Sequence, residues 1–335
     1  MSYRSWPSAL TARWLSNTKN RGPLDLVTIL AFAGGVLTAT WRMATPLIYA
    51  SVGEVFAERS GVINLGLEGI MLLGAFGAYA VTFYTGSLWL GVLAALGVGL
   101  LLGLLFALFT VTIKANQIVV GVALNLVGSG VSGFLFRSVF LNSDFPSLNI
   151  VSFNNMSIPI LSKIPLIGPV LFQTNVLVYL TVFLVPLASF LLYRTSFGLS
   201  VRTVGEHPKA ADTMGISVSR IRYVCVVAGS MLAAVGGASL TLAFANQFVE
   251  EMVSGRGFIA LAAVVFGAWS PWGATGASLL FGAFYALQLR VQAMNNVLLP
   301  YQFLQVLPYV ATILALVSIR NRAQSPKALG VPYQS

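Results

Sequence analysis

Two polar residues stand inside a stretch apolar enough to cross a bilayer. They are Asn64 and Glu68 in GVINLGLEGIMLLGAFGAYAVTFYT, residues 61–85. Four positions apart, they share one face of a helix. Glu68 is the acid lying deepest in any apolar run, and a charge at that depth is costly, so it must face protein or water or carry a proton. Two chemistries fit it: a hydrogen bond to a neighbouring helix, or contact with a solute or proton that crosses the membrane. Asn125, in the middle of VVGVALNLVGSG, fits either an interhelical hydrogen bond or a ligand contact. Phe244, Asn246, Gln247 and Phe248 join aromatic faces to amides near the end of another apolar run. That pairing suits a base or a sugar ring, and equally an aromatic belt at the membrane surface.

Catalysis has little to work with. The single histidine, His207, and the single cysteine, Cys225, cannot supply an HExxH pair or a multi-cysteine metal site. Cys225 reads as a packing residue and His207 as a solvated side chain. The chain contains no GxxxxGK[ST] phosphate loop, so it is not expected to hydrolyse ATP itself. It also lacks a GxSxG elbow and the arginine ladder of a voltage sensor. The reading is therefore non-enzymatic, with no catalytic residue and no cofactor bound by this chain.

The elements that must position these residues follow from composition. Of 335 residues 57% are hydrophobic and 8% charged, against about 25% charged in soluble domains. With a mean hydropathy of +0.85, this is an all-α polytopic membrane protein. The net charge of +10 is dispersed between apolar runs and is not a nucleic-acid signal. The expected order is a basic cytoplasmic tail at 1–23, a transmembrane domain at 24–319 and a cytoplasmic tail at 320–335. The expected spans are Leu24–Trp41, Met43–Phe56, Gly61–Thr85, Leu88–Ile113, Gln117–Arg137, Leu171–Tyr193, Tyr223–Phe244, Phe258–Trp269, Gly273–Arg290 and Phe303–Ile319. That is a compact bundle of about ten segments with both termini cytoplasmic; Met43–Phe56 and Phe258–Trp269 are short or re-entrant. Loops 138–170 and 246–255 fall outside. Of the 19 Lys and Arg, only Arg42, Arg137, Lys163, Arg256 and Arg290 then lie outside, as the positive-inside rule requires. Glycines within the spans, such as Gly99, Gly103, Gly128, Gly130, Gly133, Gly229, Gly236 and Gly237, predict close helix packing.

One long polar passage interrupts the second half, RTSFGLSVRTVGEHPKAADTMGISVSRIR at 194–222. It carries five Lys and Arg against Glu206 and Asp212, which marks a cytoplasmic loop. Pro208 starts, and Gly215 stops, a short helix over Ala210–Met214. A stiff element with defined ends on a cytoplasmic loop is a handle for a soluble partner.

Four stretches resemble one family, the ABC-transporter permeases that import branched-chain amino acids, ribose and nucleosides. They are ERSGVINLGLEGIMLLGAF (58–76), NQIVVGVALNLVGSG (116–130), FGLSVRTVGEHPKAADTMGI (197–216) and GRGFIALAAVVFGAWSPWGA (255–274). The wording of GLEG and GRGFIALAAVVFG is most similar to the nucleoside (guanosine-type) permeases. The resemblance implies a permease subunit in a bacterial plasma (inner) membrane. It implies cytoplasmic ATPase subunits that use ATP, a second permease subunit and an extracytoplasmic binding protein or lipoprotein; the near absence of charge at membrane depth points to a small neutral cargo such as a nucleoside or sugar. It also implies that the ATPase grips the 202–216 segment, through Gly205, Glu206, Pro208, Ala210, Ala211, Asp212, Gly215 and Ile216. The sequence departs from the family at His207, where an asparagine is common.

The substrate path is expected along Asn64, Glu68 and Asn125, with Phe244 and Asn246 at its outer end. Other readings stay open: the same machine carrying a sugar or a branched-chain amino acid, a proton-coupled secondary transporter using Glu68, or a membrane scaffold.

Overall fold

A computed structural model describes residues 26–141, 148–157, 173–292, 306 and 325–333. The expected tail at 1–23 and the expected last span, Phe303–Ile319, lie outside the described residues, as do parts of the 138–170 loop and of the 320–335 tail.

The helices are α1 (Leu26–Arg59), α2 (Leu67–Thr85), α3 (Leu88–Ala107), α4 (Gln117–Phe136), α5 (Val176–Arg194), α6 (Ser196–Glu206), α7 (Pro208–Thr213), α8 (Val218–Ser239), α9 (Arg256–Phe266) and α10 (Pro271–Gln292). π-helical turns prolong α3 to Thr112, α4 to Leu141 and α8 to Ala245. A two-residue antiparallel pair, β1 (Met156–Ser157) with β2 (Gln173–Thr174), sits in the connection between α4 and α5. Among the described residues, five helices are long and apolar enough to cross a membrane: α2, α3, α4, α5 and α8 with their extensions.

Local sequence accounts for the helix starts. Ser87, Asn116, Asn175 and Thr195 each accept a backbone N–H from the first turn of the helix they precede. Gly86, at φ +68°, ends α2 in a left-handed turn that costs a glycine nothing.

α8 is the hub and packs against α1, α2 and α3. Its span is 72% buried, whereas that of α4 is only 28% buried. Small residues set the approach. A Cβ on Gly53 would lie 2.7 Å from the Gly229 carbonyl, and one on Gly237 would lie 1.8 Å from that of Met71. Any side chain at either place would force two backbones apart. Gly128 meets Gly69 in the same way, whereas Gly130, counted among the packing glycines, faces open space.

Two expectations give way. Leu24–Trp41 and Met43–Phe56 are not two segments: Leu26–Arg59 is one helix of 34 residues with Pro46 inside it. Pro46 removes one backbone donor, but the surrounding helices over-determine the path. Arg42, which looked like a segment end, lies over the Phe244 ring at 5.4 Å. The merger removes the parity that put both termini on one side. The second correction concerns residues 246–255. They do not stay in an outer loop but descend alongside α4: Glu250 pairs with Arg137 at 3.5 Å, Glu251 bonds Ser129, and Gly255 reaches Glu68 in the first turn of α2.

Candidate functional site

The four motif stretches are scattered through 217 positions of sequence (58–274) and converge on one turn of backbone, Arg59–Glu68. At its start Arg59 donates from Nε to the Trp269 carbonyl at 2.8 Å and from Nη2 to the Ala268 carbonyl at 3.3 Å. The Trp269 indole donates to the Glu58 carboxylate. Ala268 and Trp269 have φ of +51° and +52°, a left-handed pair that turns the chain sharply between α9 and α10. Glu58 and Arg59 thus hold the end of α9 by side-chain bonds to a strained turn.

At the other end of the same turn, Glu68 holds the start of α9. Its two oxygens accept the backbone N–H groups of Gly255 and Gly257, each at 2.7 Å. These are amide donors at a helix N-terminus, and a carboxylate there also complements the helix dipole. Gly257 is obligatory, because a Cβ would lie 2.5 Å from the Glu68 nitrogen. With 11 residues, α9 is about 16 Å long, half a membrane.

Asn64 and Asn125 are brought to the same place. The backbone N–H of Asn64 donates to Glu54 at 2.8 Å, its Oδ1 accepts from Gly66 N at 3.0 Å, and its Nδ2 donates to Ser230 at 3.4 Å. Asn125 accepts from Gly69 N at 2.8 Å and donates to the Leu65 carbonyl at 2.9 Å, tying α4 to the break before α2. Each of the three expected path residues therefore spends its polar groups on the scaffold. Asn64 is 1% exposed.

Phe244 and Asn246 belong to a different neighbourhood. Phe244 lies under Arg42, and Asn246, at φ +58°, closes the π-turn and accepts the backbone N–H of Ile150 at 2.8 Å. Phe248 is buried in an aromatic cluster with Phe76, Tyr79 and Phe136, its ring 5.1 Å from that of Phe136. These contacts anchor the upper end of the descending segment.

The polar 194–222 passage carries its short helix near where the sequence placed it, and that helix is locked to the rest of the chain. Thr195 caps α6, Pro208 stands at the first position of α7, and Gly215, at φ +81°, ends it. Lys209, Ala210, Asp212, Thr213, Met214 and Gly215 face solvent, with Met214 81% exposed. Gly205 and Ala211 are buried instead. A Cβ on Gly205 would lie 2.0 Å from the Arg59 carbonyl, so α6 rests directly on the end of α1. Ala211 packs with Val204, Val218 and Ile216. Of the eight expected contact residues, Gly205 and Ala211 therefore seat the segment, and Ala210, Asp212 and Gly215 are fully presented.

The 325–333 tail completes the socket. Ala328 N donates to Gly205 O at 2.9 Å and Gly330 N to Gly61 O at 3.1 Å, while the Tyr333 side chain joins the Val204–Ala211–Val218 cluster. Partial burial and the neighbouring Asp212 push the Tyr333 phenol above its ordinary pKa. Buried Arg222 bonds Ser60 O at 3.1 Å and Val331 O at 3.0 Å.

Sequence reasoning missed Ser129, Arg137, Glu250 and Glu251, which form a polar strip along α4. The signal was available. An 11-residue helix cannot reach the outer surface, so the residues before it must enter the membrane.

The sequence is similar to those of known transporter permeases. The chain is 38% identical over 320 residues to the "Guanosine ABC transporter permease protein NupQ" of Bacillus subtilis (strain 168), covering 92% of this chain and 98% of that one. It is 40% identical over 300 residues to the "Nucleoside ABC transporter permease protein NupC" of Lactococcus lactis subsp. cremoris, covering 87% and 93%. TsgC13 of Haloferax volcanii, an ABC transporter permease provisionally named for glucose, is 38% identical over 90% of this chain and 96% of its own. Residues 36–316 match the family described as branched-chain amino acid transport system / permease component, and the chain belongs to that family of multi-pass membrane permeases.

Proposed function

We propose that the chain is the membrane-spanning permease subunit of an ATP-driven importer of nucleosides in a bacterial plasma (inner) membrane. The observation that carries this reading is the coupling segment. The tip of α7 is exposed at Ala210, Asp212 and Met214, while Gly205 rests on the end of α1. A cytoplasmic ATPase that grips the tip and closes on ATP would move Arg59, which holds the turn after α9. α9 then carries the displacement to mid-depth, where Glu68 meets its first amides.

The remaining partners are a second permease subunit and an extracytoplasmic binding protein or lipoprotein. Similarity to relatives named for guanosine and nucleoside transport supports a nucleoside cargo. The likeness to TsgC13 supports a second reading in which the cargo is a hexose. The backbone amides on both oxygens of Glu68 favour a structural role over the proton-coupled alternative, which transport driven by a pH gradient would reveal.

The topology that goes with this reading starts outside. α1 crosses inward to Arg59, α10 ends near Gly35 at the outer side, and the 325–333 tail is cytoplasmic beside Gly205. The transmembrane count then becomes nine if Phe303–Ile319 crosses once.

The test is a pull-down from mild detergent of this chain co-expressed with its ATPase, wild type beside an Ala210→Asp, Met214→Asp double variant. Both positions are exposed, so the variant should fold and insert at the wild-type level. An ATPase recovered with the wild type and lost with the variant supports the reading; no ATPase with the wild type refutes it. ATP-dependent uptake of labelled guanosine by the complete complex tests the cargo.

A further inference from the structure

An exposed carboxylate stands level with the middle of a helix of membrane-spanning length. Glu251 accepts a hydrogen bond from the Ser129 hydroxyl. Ser129 is the central residue of the span Gln117–Leu141, about 18 Å from either end. The hydrocarbon core is about 30 Å thick, so Glu251 lies near its midplane. Yet Glu251 is exposed, and only 28% of the residues in the most apolar stretch of this span are buried by the chain. A charge facing lipid at that depth is strongly disfavoured. What covers this face must therefore bring water or polar groups with it.

The surroundings hold the carboxylate in place. Glu251 has a φ of +57°, a conformation an ordinary side chain rarely adopts and one that persists only where neighbours impose it. Its carbonyl accepts both the backbone N–H of Ser254 at 3.0 Å and the Ser254 hydroxyl at 2.9 Å. Its neighbour Glu250 is engaged by Arg137, and Phe248 is pinned in the aromatic cluster. Ser129 is followed by Gly130, where a Cβ would meet nothing within 4 Å. The result is a fixed acceptor beside bare, accessible backbone.

We propose that Ser129, Gly130 and Glu251 wall a water-filled passage at the seam with the second permease subunit. In that passage the Glu251 carboxylate accepts hydrogen bonds from the ring hydroxyls of the cargo. The proposal rests on the importer reading and deepens it. The hydroxyl-bearing ring is the chemistry that a nucleoside and a hexose share. An ionised carboxylate is an acceptor only, with room for two such donors. A site built to accept from hydroxyls discriminates against analogues that lack them.

The experiment uses the complete complex in proteoliposomes. ATP-driven uptake of a ribonucleoside and of its 2′,3′-dideoxy analogue is measured for wild type, Glu251→Gln and Ser129→Ala. Glu251→Gln should lower ribonucleoside uptake at least about tenfold while changing dideoxynucleoside uptake less than about threefold. Equal uptake by Glu251→Gln and wild type, or an equal fall for both cargoes, overturns the proposal. If the wild-type complex carries no nucleoside at all, the importer reading of the cargo has failed instead.

A second measurement stands apart from the charge. Cys225 is the only cysteine and is buried. In a Cys225→Ala background, Ser129→Cys should react with a membrane-impermeant thiol reagent in the turning-over complex, and cargo should slow the reaction. A thiol at 129 that stays unreacted through turnover means lipid or tight packing covers this face, and the proposal falls.

Discussion

Replacing Glu68 by glutamine separates a helix cap from a transported-proton site. The carboxylate accepts two backbone N–H bonds at 2.7 Å, from Gly255 and Gly257. Hydrogen bonds to a charged group contribute about 1.5–3 kcal/mol each. A glutamine keeps one oxygen, so one bond survives as a neutral one worth about 1 kcal/mol. Its NH2 faces the other amide donor, which is left without an acceptor. The loss from both bonds is about 3 kcal/mol, and at 1.36 kcal/mol per factor of ten the first turn of α9 should open about a hundredfold more often. Hydrogen–deuterium exchange of the chain in nanodiscs reads this directly. Peptides spanning 255–266 should exchange about a hundredfold faster in Glu68→Gln, while those from the far end of α2, 75–85, stay as in wild type. A change below about threefold over 255–266, or an equal rise in both regions, refutes the capping argument. A proton-carrying Glu68 would instead leave exchange unaltered and abolish transport driven by a pH gradient.

Gly205→Ala should force α6 off the Arg59 carbonyl, an overpacking cost of about 1–3 kcal/mol, and lower ATPase recovery in the pull-down without lowering the amount of chain in the membrane. Trp269→Phe removes the donor to Glu58 and leaves a buried carboxylate oxygen without its partner; the thermal midpoint in detergent should fall, by an amount equivalent to about 2 kcal/mol, and an unchanged midpoint would count against the clamp. Tyr333→Phe loses the bond to Asp212, and trypsin should then cut more rapidly at exposed Lys209 in α7, which the tail otherwise holds.

Much of this was legible in the sequence because one-dimensional signals carry it. Asn116, Thr195, Pro208 and Gly215 sit where the helices they start or stop require them. The short helix in the coupling segment and the burial of Cys225 follow from residue types alone. What could not be read was partnership across distance. Glu68 and Asn125 are polar at depth whether they meet a solute or a backbone amide, and only the fold shows Gly255, Gly257, Gly69 and Leu65 opposite them. Arg42 was placed between two apolar segments because a charge is disfavoured inside an apolar helix in isolation. The Phe244 ring over which Arg42 lies is 202 positions away in sequence. The acids at 250 and 251 were assigned to the surface because charge usually belongs there. The limited length of α9 was the stronger constraint.

The tail that closes the coupling socket has a consequence for biogenesis. Ala328, Gly330 and Tyr333 touch Gly205, Gly61 and the Val204–Ala211–Val218 cluster, yet they leave the ribosome more than a hundred residues after Ala211. Until they arrive, the socket under α6 and α7 lacks one wall. A nascent or truncated chain can thus insert its helices and still present an unfinished docking surface. In the importer reading, assembly with an ATPase would wait until the subunit has been synthesised through its tail.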